Sequence, residues 1–173
     1  RPALFPSSSD FDKTIDLQAG SYFCLAPASV WATKQLPKEK WVELVQILQK
    51  KGQVILLGSP DDKKICQEII SDSGVEANNQ AGQLSLLQSA ALMKTATRNY
   101  VNDSGPLHLA AAVNAPVTAF FCSTIPNFGF GPLSEDSEIR ETKEILSCRP
   151  CGLHGFKECP EGHFKCGQIS VAV

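Results

Sequence analysis

Short apolar runs alternate along the chain with segments whose apolar residues recur at helical spacing. The first apolar run, Tyr22–Ala26, predicts a buried strand. A helix is predicted next, between Pro37 and Gly52, where apolar residues stand at i, i+3, i+4 and i+7: Trp41, Leu44, Val45 and Leu48. The same order recurs in strands predicted at 54–57, 98–102 and 117–122 and in helices predicted through Ile65, Ile69 and Ile70, from Ser85 to about Lys94, and at 106–114.

This alternation predicts the fold class. Continuously apolar strands separated by helices are typical of a parallel sheet, because each right-handed crossover lays its helix on one face of the sheet. We therefore predict an α/β, Rossmann-like fold with helices on both faces. Ligands bind such sheets at the carboxyl ends of the strands. The loops that begin at Pro27, Gly58, Asp103 and Ser123 are thus the places where a site is expected.

The first twenty residues have no sustained hydrophobic period. They contain Pro2, Pro6 and the polar run 7–10, and this composition predicts an extended interdomain linker over 1–20. Residues 21–173 are then expected to form one domain, since 173 residues suffice for a single core of ordinary size.

Composition excludes several classes of partner. The chain carries 16 Lys and Arg against 18 Asp and Glu, a formal charge of -2, so we expect no binding to nucleic acid. It has no apolar run long enough for a transmembrane segment and no signal-peptide pattern, which favours a cytoplasmic compartment.

The sharpest chemical motif spans residues 102–108, where a predicted strand ends and a helix begins. Asp103 or Ser104 can cap the helix, Gly105 lets a ligand approach the backbone, and Pro106 presets the first helical turn. Backbone amides and the positive end of the helix dipole then favour an anion such as a diphosphate, with His108 as an added donor. The alternative is an ordinary capped helix with a surface histidine.

The loop after the first strand offers one cation to the same anion. Lys34 is a compact point charge beside the hydroxyl of Thr33, although a solvated surface lysine explains the local pattern equally well. Asp61 and Asp62 follow the second strand, where an acid can accept a hydrogen bond from a ribose hydroxyl. First-turn acids more often only favour the helix dipole.

A cysteine-rich segment covers residues 148–166. Its thiols are Cys148, Cys151, Cys159 and Cys166, with His154 and His163 between them. Thiols and imidazoles are the ligands that zinc prefers in tetrahedral sites. Reduced thiols in a packed loop and disulfides remain alternatives, because the second cysteine pair lacks the C-x2-C spacing.

Together these segments resemble glycosyltransferase family 9, the lipopolysaccharide heptosyltransferases. The resemblance rests on the sequences WATKQLP at 31–37, GQLSLL at 82–87 and NDSGPLHLAAA at 102–112. The terminus CRPC at 148–151 followed by ECPEGHFKC at 158–166 is similar as well, and residues from Ile169 onward resemble the start of a closing helix.

The resemblance implies a GT-B architecture of two facing Rossmann-like halves, of which this chain is similar to the C-terminal, donor-binding half. Members hold the donor diphosphate through positions that match Thr33, Lys34, Asp103, Ser104, Gly105, Pro106, Leu107 and His108. Lys34 and His108 would oppose the charge that develops on the leaving diphosphate, with no metal or other cofactor required. No residue of this chain matches the catalytic base, so the chain alone is expected to be inactive.

The function implied is inverting transfer of heptose from ADP-heptose to the lipopolysaccharide inner core. It needs an N-terminal acceptor domain and implies a location at the inner face of the bacterial inner membrane. Leu36 and the loop 122–126 depart from the family pattern, which leaves the sugar open. One alternative is a non-catalytic module that binds a nucleotide or nucleotide sugar; another is an interaction module stapled by zinc at the final cysteines.

Overall fold

Six strands make one parallel sheet in the structure, a computed structural model that describes residues 2–173. The strands are β1 Tyr22–Ala26, β2 Gln53–Leu56, β3 Asn78–Asn79, β4 Arg98–Asn102, β5 Val117–Phe121 and β6 Ser137–Glu141, in the order β3-β2-β1-β4-β5-β6. In the centre, Cys24 of β1 lies opposite Ile55 of β2 and Asn99 of β4. The strand order reverses between β1 and β4, and the crevice at such a point is where open α/β sheets bind ligands.

Helices cover both faces of this sheet. They are α1 Ser8–Asp12, α2 Lys38–Gln49, α3 Lys63–Ser73, α4 Leu86–Thr95 and α5 Gly105–Ala112. α2 and α3 pack against one face, and α4 and α5 pack against the other. The predicted fold class, an α/β Rossmann-like parallel sheet with helices on both faces, is confirmed. No helix within residues 2–173 combines the length and the apolar character needed to span a membrane.

The alternation of side chains along β1 explains why both faces need a helical layer. Phe23 and Leu25 point to the side where Trp41 of α2 is buried. Tyr22 and Cys24 point to the opposite side, against α4 and α5. Because successive side chains of a strand face opposite ways, a strand that is apolar at every position must be covered twice.

The prediction of extended chain over 1–20 is wrong in part, because α1 forms at Ser8–Asp12. Ser7 begins this helix: its backbone N–H and its hydroxyl both donate to Asp10 Oδ2, at 2.8 and 2.6 Å. α1 packs against α4, and the Leu4 N–H donates to the carbonyl oxygen of Ala112 at 3.0 Å. The role of this segment as a linker between domains stays a prediction.

Two strands and the end of the chain also differ from the sequence-based expectation. β3 contains only two asparagines, and β6 is a half-exposed edge strand rich in charge, so neither shows the apolar run that marked the others. The expected closing helix does not form at 169–173. Ile169 and Val171 are instead both buried, at the two-residue spacing that an extended chain gives.

Candidate functional site

A cavity of about 860 Å³ opens at the carboxyl ends of the central strands. Its walls come from the loops after β1, β2 and β4, from α4 with the segment before it, and from the start of α5. Its apolar lining includes Val30, Leu84, Met93 and Leu109. Small-molecule sites of this size usually combine an apolar wall with a few polar groups. The cavity therefore lies where the fold class leads one to expect a ligand.

Three helical N-termini converge on this cavity, and each begins at a serine that lines it: Ser59, Ser85 and Ser104. Ser85 and Gln88 form the predicted capping box at α4, with Gln88 N 3.2 Å from Ser85 Oγ. At α5 the predicted side-chain cap is wrong, because Ser104 Oγ makes no cap bond and lies 3.4 Å from the carbonyl oxygen of Asn102. The uncapped α5 thus presents the positive end of its dipole at the cavity wall.

Lys34 and Asp103 form an ion pair beside this wall. Lys34 Nζ lies 2.7 Å from Asp103 Oδ2, and their side chains are 14% and 5% exposed. The hydroxyl of Thr124 donates to the same carboxylate oxygen at 2.7 Å. Asp103 Oδ2 thus holds both Lys34 and Thr124, and no side chain makes a cap bond at α5. The ion pair with Asp103 fixes the direction of the Lys34 ammonium, and a role for Lys34 in binding an anion stays a prediction.

The other predicted residues of this motif differ in their exposure. Gly105 is exposed, and Ser104 and Pro106 form part of the cavity wall. Leu107 is buried in the core beneath α5, and its backbone N–H donates to the carbonyl oxygen of Ser104 at 3.0 Å. His108 is exposed on the outer side of the first turn, with its ring centroid 6.5 Å from that of Phe130. Thr33 is buried and points away from the cavity toward residue 156.

A buried asparagine joins the two loops that carry Lys34 and Asp103. Asn102 is fully buried at the end of β4. Its side-chain Nδ2 donates to the carbonyl oxygen of Pro27 at 2.8 Å, and its Oδ1 accepts from the N–H of Leu36 at 2.9 Å. Both ends of the loop after β1 are therefore fixed to β4. The sequence motif began at this residue, but a role for its amide could not be inferred from one strand alone.

Several residues of the site were not predicted. Thr124 contacts Asp103, and Ser123 Oγ donates to Thr33 Oγ1 at 3.0 Å. Arg149 reaches the end of β5, where it donates to the carbonyl oxygens of Cys122 and Thr124 at 2.6 and 2.7 Å. Ser123 and Thr124 begin a loop in which the sequence predicted a site, but neither residue was assigned a role. Arg149 had no signal in the sequence, because nothing local links it to β5.

The two aspartates after β2 have different surroundings. Asp62 Oδ2 accepts from the backbone N–H and the hydroxyl of Ser59, both at 2.7 Å, which makes it part of a capping box. Asp61 is exposed and lines the cavity. The carboxylate of Asp61 is thus the one available to accept a hydrogen bond from a ligand hydroxyl.

The cysteines of 148–166 are all free thiols. Cys148 Sγ lies 3.9 Å from His163 Nε2, and both His154 and His163 are exposed. Burial raises the pKa of the Cys166 thiol to about 11, since this residue packs into the core rather than the loop. Within residues 2–173, no group of three or more His, Cys, Asp or Glu side chains is arranged to hold a metal ion. Zinc binding by Cys148, Cys151, Cys159 and Cys166 stays a prediction.

Comparison with known proteins gives a consistent result. Residues 5–158 match the family model of glycosyltransferase family 9 (heptosyltransferase). Lipopolysaccharide heptosyltransferase 2 of Escherichia coli K12 is 33% identical over 111 residues, which cover 61% of this chain and 32% of that protein. The chain thus spans about a third of the length of this curated relative.

Solved structures agree with the sequence match. The structure of E. coli ADP-heptose LPS heptosyltransferase II is similar with a TM-score of 0.73 and 25% identity, over 87% of this chain and 50% of that one. A glycosyltransferase family 9 structure from Veillonella parvula shares the fold with a TM-score of 0.75 and 18% identity, over 84% and 47% of the two chains. Since the family model matches most of its length, the chain belongs to glycosyltransferase family 9, the heptosyltransferase family.

Proposed function

We propose that this chain is the donor-binding part of an inverting glycosyltransferase that transfers heptose from ADP-heptose to the lipopolysaccharide inner core. One observation carries the proposal: the cavity at the strand-order reversal adjoins the uncapped N-terminus of α5, with the Lys34–Asp103 pair beside it. A nucleoside needs an apolar wall with few polar groups, and a diphosphate needs amides and a cation. Both environments occur side by side.

In this proposal the nucleoside of the donor occupies the cavity. Leu84, Met93 and Leu109 offer apolar contacts to a flat base. Asp61 accepts a hydrogen bond from a ribose hydroxyl, in the way that acids after the second strand do in related nucleotide-binding sheets. Among residues 2–173, the lining contains no lysine, arginine or histidine, and its charged side chains are the carboxylates of Asp61 and Asp62.

The diphosphate then meets α5 and Lys34. Amides at an uncapped helix N-terminus favour anions, and the Lys34 ammonium adds a full charge. His108 is exposed on the first turn of α5 and supplies a further donor toward the outer phosphate. Ser104 and Gly105 offer backbone N–H groups at the start of α5, Thr33 and Asp103 support Lys34, and Pro106 and Leu107 form the first turn of α5.

The proposed reaction is a displacement at the anomeric carbon. An acceptor hydroxyl oxygen forms the new bond from the face opposite the diphosphate, while the bond between the anomeric carbon and the diphosphate oxygen breaks. ADP leaves with the electron pair of that bond, and the acceptor proton passes to a base that lies outside this chain. Lys34, His108 and the α5 amides stabilise the charge that grows on the leaving oxygen.

The relatives support the choice of donor and acceptor. The curated relative is a lipopolysaccharide heptosyltransferase, and the solved structure at 25% identity is described as an ADP-heptose LPS heptosyltransferase. We assign acceptor binding and the base to a further domain, because the chain spans 32% of the curated relative. A cytoplasmic location at the inner membrane stays a prediction of the sequence.

Isothermal calorimetry of this chain with ADP, GDP, UDP and NAD tests the proposal. We expect ADP to bind best. Lys34→Ala should weaken ADP binding about tenfold, as the loss of one charge-assisted contact to phosphate implies. Lys40→Ala is the matched control, since Lys40 pairs with Glu43 on α2, outside the proposed site. It should leave the affinity unchanged.

The outcomes separate the parts of the proposal. Tighter binding of GDP or UDP than of ADP would still support a glycosyltransferase, but one with a different nucleotide-sugar donor. Absence of binding by every nucleotide, with the chain folded by circular dichroism, would contradict the proposed donor site. In the longer protein that contains this chain, Lys34→Ala and His108→Ala should each lower kcat/KM. If both variants stayed within about threefold of wild type, under roughly 1 kcal/mol, their roles in stabilising the leaving group would be wrong.

A further inference from the structure

Residues 148–156, which we call the strap, cross over the turns that bear Lys34 and Thr124. Arg149 is the second residue of the strap, and its side chain is 14% exposed. Its guanidinium donates to the carbonyl oxygens of Phe121, Cys122 and Thr124 at 3.0, 2.6 and 2.7 Å and pairs with Glu141. A guanidinium offers five donors in a fixed fork, so one side chain can hold several carbonyls at once. Arg149 thus fixes the strap to the carboxyl end of β5.

The other end of the strap is bonded to the turn Ala32–Lys34. The Phe156 N–H donates to Thr33 Oγ1 at 2.7 Å, and the Thr33 N–H donates to the Phe156 carbonyl oxygen at 3.1 Å. Ser123 joins both, because its Oγ donates to Thr33 Oγ1 at 3.0 Å and its carbonyl oxygen accepts from the Cys151 N–H at 2.8 Å. Thr33 is the one buried side chain of this three-residue turn. The strap is therefore bonded to the middle residue of the turn directly, through Phe156, and indirectly, through Ser123.

Gly155 is the point of closest approach between strap and turn. A Cβ built on this residue would lie 2.8 Å from Thr33 Oγ1, 3.0 Å from Ser123 Oγ and 3.2 Å from Lys34 Cγ. Contacts this short require either the strap or the turn to move. Gly155 also has a φ of +77°, in the left-handed region that favours glycine. The position of the Lys34 stem therefore depends on the absence of a side chain at 155.

We propose that Arg149 and Gly155 are positioning residues for diphosphate binding, because the strap sets where the Lys34 ammonium lies. The inference rests on the proposed donor site. Arg149 acts at both partners of Asp103: it holds the backbone of Thr124 directly and the turn before Lys34 through the rest of the strap. Neither residue needs to touch the ligand. Replacing either residue should weaken binding of the diphosphate and leave binding of the nucleoside unchanged.

Calorimetry with ADP and with adenosine tests this, with Gly155→Ala and Gly152→Ala as a matched pair. Gly152 lies in the same strap with a φ of +69°, yet a Cβ there would come no closer than 3.8 Å to Phe156. Both variants therefore carry similar backbone strain, and only Gly155→Ala pushes on Thr33 and Lys34. We expect Gly155→Ala to lower the affinity for ADP about tenfold and to leave the affinity for adenosine unchanged. Gly152→Ala should change neither affinity.

Arg149→Lys provides a second variant, which keeps the charge that faces Glu141 but not the fork that holds three carbonyls. Arg149→Lys should also lower the affinity for ADP and not for adenosine. It replaces Gly155→Ala as the test variant if circular dichroism shows that Gly155→Ala does not fold. Equal ADP affinities in wild type, Gly155→Ala and Arg149→Lys would overturn the inference and leave the proposed donor site supported. Parallel losses for ADP and adenosine would also overturn it, since that is the result of a merely structural role. If wild type bound adenosine but not ADP, the diphosphate site and the inference would fail together.

Discussion

Replacing Asp103 by asparagine should change stability and nucleotide affinity in opposite directions. The carboxylate accepts from Lys34 Nζ and from Thr124 Oγ1, both at 2.7 Å, while it is almost fully buried. Asparagine keeps the shape and one acceptor oxygen but removes the charge. The folded state then loses an ion pair, and a bound diphosphate loses a neighbouring negative charge. We expect Asp103→Asn to unfold more easily and to bind ADP more tightly.

The size of the stability loss follows from the geometry of the pair. Two unit charges at the 2.7 Å that separates Lys34 Nζ and Asp103 Oδ2 attract by about 1.5 kcal/mol in bulk water and about 6 kcal/mol at an effective dielectric constant of 20. Desolvation of both groups cancels much of the larger value. Because the side chains are 14% and 5% exposed, the pair lies between surface and buried cases, and we expect a coupling of about 1–3 kcal/mol.

A double-mutant cycle measures this coupling directly. Urea unfolding of wild type, Asp103→Asn, Lys34→Met and the double variant gives the interaction energy as the departure from additivity. Calorimetry with ADP is performed on the same four proteins. Between wild type and Asp103→Asn, the expected change is a gain in affinity of about threefold to tenfold, or roughly 1 kcal/mol. Lys40→Ala serves again as the control for loss of a charge outside the site.

Two results would refute the reasoning about Asp103. A coupling under about 0.5 kcal/mol would mean that the pair behaves as a surface contact and does not direct Lys34. Weaker ADP binding in Asp103→Asn would mean that the carboxylate either contacts the nucleotide or orients Lys34 so well that orientation outweighs repulsion. Lys34→Met separates these cases, because the second one predicts no further effect of Asp103→Asn once the ammonium is gone.

Three further predictions concern folding, thiol chemistry and pH. Ser85→Ala removes the cap of α4 and should lower the free energy of unfolding by about 1 kcal/mol. Scanning calorimetry should then show a Tm lower by about 2–4 °C. In timed alkylation at pH 8, Cys148 should react well before Cys24, since burial raises the pKa of Cys24; comparable rates by mass spectrometry would contradict this. The hydrogen bond from Arg140 lowers the pKa of Glu138 in the folded protein below the ordinary value of 4.5. Ionised Glu138 therefore stabilises the fold above pH 4.5, and this stabilisation is lost as the pH falls through the pKa of the folded state. In urea unfolding, the difference in the free energy of unfolding between wild type and Glu138→Gln should shrink as the pH falls through that range.

The central part of the fold was predictable because its elements carry local signals. β1 was predicted with the bounds it has, and the four apolar residues predicted for α2 are all buried. The capping box at Ser85 also formed as predicted. β3 and β6 were missed because they lie at the two edges of the sheet, where one neighbouring strand suffices and no apolar run is required.

The candidate site was predictable only in part, for a reason that the strap makes clear. Lys34 and Asp103 could each be picked from a loop at the end of a strand, because parallel strands bring their carboxyl ends to one edge. Their pairing could not, since it depends on the register between β1 and β4. Arg149 and Gly155 follow no strand and belong to a segment selected for its cysteines alone. Their effect on Lys34 passes through Thr33 and hydrogen bonds between segments more than a hundred residues apart, and no local pattern records such bonds. Candidate binding residues can thus be picked from loops at strand ends, whereas the residues proposed to position them had to be found in the structure.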